Sequence, residues 1–274
     1  MYSFKSHAKL NLNLYVGPPQ AGGLHNLHSI FQAISLHDQV TIKSSKAGHL
    51  VTFRGLDVPN SNTCTQVLDL LQPKLSQYWE VRVDKHIPAG AGLGGGSSNA
   101  ATLLMALNDL ESLNLSYDEM ITIASHVGSD VPYFLYGGQA HVSGTGQNVQ
   151  PNVSYIGVTH FVLILPNIHC STAGVYHALD TLAEFDDFDF FSDKHLEVIG
   201  FNRLLQSAFM ITSELESLYR TVADLLNGNV YMSGSGSTLF IPCSSNKEQT
   251  EIKAMLDSAI GSFDADILLT ESLY

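Results

Sequence analysis

The sequence predicts an α+β fold in two domains, and three observations predict it. Strands and helices follow one another in runs, without the regular alternation of a doubly wound sheet. A glycine-dense loop near the middle joins a strand to a helix. A change of composition between Pro151 and Thr159 divides the 274 residues into segments 1–157 and 158–274, each of ordinary domain size.

In chain order, Leu10, Leu12 and Leu14 alternate with Asn11, Asn13 and Tyr15, the pattern of a half-buried strand. Residues 17–23 (Gly-Pro-Pro-Gln-Ala-Gly-Gly) read as a turn-rich loop. An apolar stretch follows over Ile30–Ile34, then a strand around Asp38–Lys43. Residues 62–78 suit a helix with Val67, Leu68, Leu70 and Leu71 inward, kinked or ended by Pro73. Val81, Val83 and Ile87 form a strand running into the glycine loop. Beyond it Ala100, Leu103, Leu104, Leu107 and Leu110 lie at helical spacing, with Ser97 or Ser98 a natural N-cap. Ser116-Tyr-Asp-Glu119 is a capping box for a second helix ended by Gly128. Pro132 suits the first turn of a third, which places Asp130 at a helix start.

In the second half, a strand over 160–165 precedes a helix from Ala173 that carries Tyr176. The acidic aromatic segment 184–195 reads as a connection, and Ser213-Glu-Leu-Glu216 as another capping box. Strands at 230–232 and 238–241 flank Ser233-Gly-Ser-Gly-Ser237. A helix over 246–260 and a strand near 267–269 end the chain, and no internal repeat is visible.

Composition bounds the function. Hydrophobic residues at 45% and charged residues at 14% describe a globular protein. A net charge of −13 argues against a nucleic-acid partner and serves solubility, yet it leaves anionic small ligands open, because backbone N–H groups hold phosphate without basic side chains. Three scattered cysteines, Cys64, Cys170 and Cys243, point to a reducing compartment rather than a disulfide framework or a zinc site. The N-terminus lacks the apolar core of a signal peptide, and the best apolar run, 161–165, is strand-sized. A cytoplasmic protein without membrane contact is expected.

The loop comprises Pro88, Ala89, Gly90, Ala91, Gly92, Leu93, Gly94, Gly95, Gly96, Ser97 and Ser98, five of its eleven residues glycine. Glycines feeding a helix N-terminus offer unpaired N–H groups and the positive end of the helix dipole, a ready phosphate site. The GxGxxG match at Gly90–Gly95 is no Rossmann fingerprint, because another helix, capped by Ser116, follows where a parallel strand is required. Nor is it a Walker A loop, since no Lys precedes the serines.

Lys9-Leu-Asn11-Leu, the 88–98 loop and Ser233-Gly-Ser-Gly-Ser-Thr-Leu-Phe240 resemble, in order, the three motifs of the GHMP kinase superfamily. Ala8-Lys9-Leu-Asn-Leu, Gly23-Leu-His25-Asn-Leu27 and Gly128-Ser-Asp130-Val-Pro132 resemble, within it, the 4-diphosphocytidyl-2-C-methyl-D-erythritol kinases. The resemblance implies a ribosomal-protein S5 domain 2-like N-terminal domain (1–157), a ferredoxin-like C-terminal domain (158–274) and an active site between them. It implies transfer of the γ-phosphoryl group of ATP to the 2-hydroxyl of the methylerythritol moiety, in the non-mevalonate isoprenoid precursor pathway. ATP and Mg²⁺ are the implied cofactors, with the metal ligands unassigned, and the chain is expected as a monomer or weak homodimer.

By the same resemblance, Pro88–Ser98 hold the ATP phosphates, Asp130 is the general base and Lys9 its catalytic partner. His25 contacts cytosine, Tyr176 stacks on it, and Asn11 and Thr172 contact substrate. His7 stands where the family has Pro, Asn13 where it has an apolar residue and Leu24 where it has Tyr, while Phe201-Asn202 matches the family's Asn-Asp element faintly. Two alternatives remain: a GHMP kinase for another alcohol (homoserine, mevalonate or a sugar), and a non-catalytic nucleotide-binding relative. His25 with Tyr176 argues against the first, and Lys9 with Asp130 against the second.

Overall fold

The computed structural model describes residues 1–20, 22–55, 59, 61–151, 157–182 and 199–274. The acidic aromatic segment 184–195 and residues 152–156 of the expected boundary lie outside the described residues.

The first half is organised on β3 (His25–Ser45), a 21-residue strand that unites the expected apolar stretch and the strand after it. β1 (Tyr2–Asn11) and β2 (Tyr15–Pro19) pair with it antiparallel. So do β5 (Tyr78–Asp84) and β6 (Gln139–Gly144), while β4 (Leu50–Arg54) joins β5 in parallel and β7 (Asn148–Pro151) joins β6. The result is a seven-stranded sheet.

Two expectations change here. The segment 10–15 is not half-buried: Asn11 and Asn13 are as enclosed as Leu10 and Leu12. Their amides are satisfied inside, Asn13 Oδ1 accepting from Ile30 N at 2.8 Å and Asn11 Nδ2 donating to Ser29 Oγ at 2.9 Å. The turn-rich stretch from Gly17 begins as strand, with Pro19 opposite His25.

Four helices cover one face of this sheet: α1 (Thr63–Leu71), α2 (Gly95–Leu110), α3 (Tyr117–Val127) and α4 (Val131–Tyr136). Pro73 ends α1 in a 3₁₀ turn, and Leu70 faces solvent because Cys64, Val67, Leu68 and Leu71 form the buried stripe. The Ser116–Glu119 capping box forms as expected.

The second half is a four-stranded antiparallel sheet in the order β11 (Ala265–Glu271), β8 (His160–Pro166), β10 (Leu239–Cys243), β9 (Tyr231–Met232). Phe161, Leu163, Leu165 and Phe240 on one face pack with Leu10, Leu12, Ile30 and Ile34 of the first half. The other face carries α5 (Thr172–Leu182), α6 (Leu205–Ile211), α7 (Ser213–Leu225) and α8 (Asn246–Ala259). The layers therefore run helix, sheet, sheet, helix. The second expected capping box does not form: Thr212 is the N-cap of α7, Ser213 lies inside it, and no side chain caps it.

A buried ion pair fixes the approach to the glycine loop. Asp38 accepts from the amides of His86 and Ile87 at 2.7 and 2.8 Å, from Asn99 Nδ2 at 3.0 Å, and from Lys85 Nζ. Asp38 is wholly enclosed and Lys85 nearly so. Removing one partner strands a buried charge, at a cost of about 3–5 kcal/mol. Asp38→Ala is therefore expected to lower stability by that order in urea unfolding; a loss within about 0.5 kcal/mol, the range of surface substitutions, would show the pair to be dispensable.

Candidate active site

The glycine loop turns because Gly90, Gly92 and Gly94 adopt φ of +64°, +75° and +69°, a region that L side chains rarely occupy. Gly94, not a serine, is the N-cap of α2, and the first intrahelical bond runs from Ser98 N to Gly94 O. Gly95, Gly96 and Ser97 thus lie in the first turn, where amides lack intrahelical acceptors, and the amide of Ser98 is the first to find one. The serines point differently. Ser98 is buried and its Oγ accepts from Ser6 Oγ at 2.7 Å, whereas Ser97 is partly exposed.

The loop packs more closely on its neighbours than a bulkier sequence would allow. A Cβ at Gly94 would stand 2.7 Å from the Phe134 ring, and one at Gly95 2.9 Å from Ile87. One at Gly92 would lie 2.1 Å from the Ser233 carbonyl oxygen. That last contact brings the C-terminal serine–glycine loop onto the phosphate loop. Ser233 Oγ donates to Gly92 O at 2.9 Å and accepts from Asn11 N at 3.1 Å, and Thr238 N donates to Ala91 O at 3.3 Å. Asn202, in the weakly matched motif, holds this loop from behind, its Nδ2 donating to Met232 O and Gly234 O at 2.8 Å each.

Lys9 reaches the same point from β1. Its Nζ donates to Gly92 O at 2.9 Å and to Asn11 Oδ1 at 2.5 Å, lies 4.8 Å from the Phe31 ring centroid, and is 3.7 Å from Asp130 Oδ2. Burial disfavours the ammonium and pulls its pKa below the usual lysine value; the Asp130 carboxylate opposes that shift. Asp130 holds the N-cap position of α4, yet its side chain caps nothing there and remains partly exposed beside Lys9. Asn11, expected at the substrate, is buried, its amide committed to Lys9 and Ser29.

A second cluster lies where β3 begins beside α5. His25 Nδ1 donates to Gly17 O at 2.9 Å, its Nε2 stands 3.4 Å from Asp180 Oδ1, and its ring centroid is 5.1 Å from that of Tyr176. Burial, with the Asp130 charge adding to it, pushes the Tyr176 hydroxyl up to about 12, so the field of Asp130 reaches this helix. Thr172, exposed at the start of α5, pairs its Oγ1 with Ser235 Oγ at 3.0 Å. Leu24 is exposed next to His25. The structure therefore brings Lys9, Asp130 and the glycine loop together, and His25 with Tyr176. The sequence reading missed Asp180 and the Asp38–Lys85 pair, and its faint match at Asn202 gave no sign of the hold on the serine–glycine loop. Of the missed residues Lys85 left a signal, a charge at the inward parity of Val81, Val83 and Ile87. No cluster of three metal-ligating side chains occurs among the described residues.

The GHMP kinases N-terminal domain model matches residues 62–138. A 4-diphosphocytidyl-2-C-methyl-D-erythritol kinase of Persephonella marina is 33% identical over 88% of this chain and 90% of its own length. The chain belongs to the 4-diphosphocytidyl-2-C-methyl-D-erythritol kinase family. A solved 4-(cytidine 5'-diphospho)-2C-methyl-D-erythritol kinase superposes over all of both chains with a TM-score of 0.79 at 26% identity. The mevalonate kinase of Methanococcus jannaschii, at 15% identity, shares the fold with a TM-score of 0.70 over all of this chain and 98% of its own. The α+β, two-domain GHMP kinase fold read from the motifs is thus shown, and the chain is a small-molecule kinase.

Gly92 offers a test of the loop contact. In Gly92→Ala the added methyl meets the Ser233 carbonyl in a backbone region alanine resists, so the two loops separate. The KM for ATP is expected to rise at least tenfold; an unchanged KM in a folded variant would detach this contact from nucleotide binding.

Proposed function

We propose that this chain transfers the γ-phosphoryl group of ATP to the 2-hydroxyl of 4-diphosphocytidyl-2-C-methyl-D-erythritol. The carrying observation is the meeting of Lys9 Nζ with Gly92 O of the phosphate loop and with Asp130. Phosphoryl transfer demands positioning and charge stabilisation rather than covalent help from the protein. The α2 N-terminus and its glycines hold the polyphosphate. Lys9 offsets charge on the transferring group. Asp130 accepts the hydroxyl proton; a carboxylate is a weak base toward an alcohol, so that transfer comes late, as the new phosphorus–oxygen bond forms.

Mg²⁺, when bound, would neutralise charge on the phosphates. Ser97 is the loop hydroxyl available to it, since Ser98 bonds inward. His25, Tyr176 and Thr172 serve the cytidyl end of the acceptor, and Asn11 acts through Lys9. The division at 157/158 assigns the transfer machinery to the first domain and α5 to the second. The three free cysteines are buried, and burial pushes the Cys64 thiol up to about 12, which suits a cytoplasmic enzyme. Among the described residues no helix is long and apolar enough to cross a membrane.

An ATP-consumption assay across alcohols is expected to show turnover with the cytidyl-linked acceptor; activity on homoserine, mevalonate or a sugar alone would replace the acceptor and keep the chemistry. Asp130→Asn is expected to keep ATP affinity while kcat falls by roughly 10²–10⁴-fold, and near-wild-type turnover would remove Asp130 as the base. Because the Lys9 pKa is lowered, its ammonium is lost before an ordinary lysine's, so kcat is expected to fall on the alkaline side with a midpoint below the usual lysine range. Lys9→Arg, still protonated there, moves that limb to higher pH in whatever activity remains; a limb unmoved by it belongs to another group.

A further inference from the structure

Three successive carbonyls of the glycine loop are already taken. Ala91 O accepts from Thr238 N at 3.3 Å, Gly92 O from Lys9 Nζ and Ser233 Oγ at 2.9 Å each, and Leu93 O from Lys9 N at 3.0 Å. The amides of residues 89–97, by contrast, donate to nothing among the described residues. Successive unpaired backbone N–H groups make an anion site. The loop's acceptors are thus committed and its donors are not.

One side chain from the second half rests on this loop without bonding to it. His169 lies in the connection between β8 and α5, and it is exposed. A Cβ at Gly90 would stand 3.3 Å from both Nδ1 and Cε1 of its ring. The imidazole edge therefore lies against the first left-handed glycine of the loop. The chain on either side fixes that seat. Asn167 donates through N and Nδ2 to Asp264 O and Oδ2 at 2.9 Å each, Cys170 is buried, and Thr172 Oγ1 pairs with Ser235 Oγ.

Charge gives the ring a task. A polyphosphate arriving at the loop finds Lys9 already beside Asp130 and Lys85 already beside Asp38. His169 makes no hydrogen bond and no ion pair among the described residues, so its N–H is uncommitted. We infer that His169 is a further phosphate-binding residue of this site, donating from its ring to a phosphate oxygen held on the glycine loop. The inference rests on the kinase reading proposed above. Two phosphates share that chemistry, those of ATP and the diphosphate of the acceptor, and the test separates them.

The experiment measures KM for ATP and for the cytidyl-linked acceptor in wild-type enzyme and in His169→Ala. One of the two is expected to rise about tenfold, the scale of one exposed contact to a charged group, with kcat changed by less than about twofold. A rise for ATP assigns the oxygen to the nucleotide, and a rise for the acceptor assigns it to the diphosphate. His169→Lys supplies a donor and a charge at the same place and is expected to recover most of the loss. Raising ionic strength from about 0.1 M to about 1 M shortens the Debye length from about 10 Å to about 3 Å, so the gap between wild type and His169→Ala is expected to narrow. A merely structural role would produce neither effect. Both KM values unchanged in His169→Ala overturn the inference and leave the kinase reading intact, and so does a fall in kcat alone. A wild-type enzyme without turnover of any alcohol overturns the kinase reading instead. ATP titration then decides: equal affinity of wild type and His169→Ala overturns the inference, and weaker binding by the variant supports it.

Discussion

The carbonyl oxygen of Gly92 is the point on which the site depends. It accepts from Lys9 Nζ and from Ser233 Oγ, each at 2.9 Å. One main-chain atom therefore ties the Lys9 ammonium, the glycine loop and the C-terminal serine–glycine loop together. The tie exists only because residue 92 has no side chain, a methyl there having no space beside the Ser233 carbonyl. Asn11 closes the circle, its amide N donating to Ser233 Oγ and its Oδ1 accepting from Lys9. With two of its protons donated in this way and Asp130 beside it, Lys9 has few other orientations open to it, and catalysis by charge stabilisation needs a charge fixed in place beforehand.

On the proposed function, the same arrangement is what lets a protein of net charge −13 take a polyphosphate. Its anion site does not rely on exposed lysine or arginine side chains. A Cβ at Gly95 would stand 3.1 Å from Lys85 Nζ, so a second ammonium lies close behind the first residue of α2. Both ammonium groups near the loop are enclosed and paired with carboxylates, Lys9 with Asp130 and Lys85 with Asp38. Low-dielectric surroundings strengthen their fields at short range while the acidic surface dominates at long range. The helix N-terminus adds fixed partial charge that neither titrates nor moves.

Much of this was legible in the sequence, for stated reasons. Glycine-dense motifs, a capping box at Ser116 and the alternation before residue 88 are local patterns, and each folds locally. What was illegible depends on tertiary surroundings. β3 looked like two pieces because Ser35, His37 and Asp38 interrupt its apolar run; those residues are tolerated since its segments pair with four different strands. α2 starts at a left-handed glycine, so side-chain capping preferences pointed to the wrong residues. α6 and β4 are seven and five residues long, too short for periodicity to declare them. Asp180 was invisible because its meaning arises only when β3 and α5 come together.

The two clusters are physically separable, which bears on how acceptor choice changes. Lys9, Gly92, Asn11, Ser233 and Asp130 interlock, so a change at one disturbs the others through shared hydrogen bonds. Among the described residues the second cluster meets that set at two places, the Thr172 Oγ1–Ser235 Oγ hydrogen bond to the serine–glycine loop and the field of Asp130 at Tyr176. Replacing the family's aromatic before His25 with an exposed Leu24 removes a stacking face without touching the transfer machinery. On the proposed function, the base then has Tyr176 on one side and His25 beside it. A fold in which transfer is over-determined and recognition is modular can retain one reaction while its acceptor varies, in keeping with the fold's appearance in a mevalonate kinase of 15% identity.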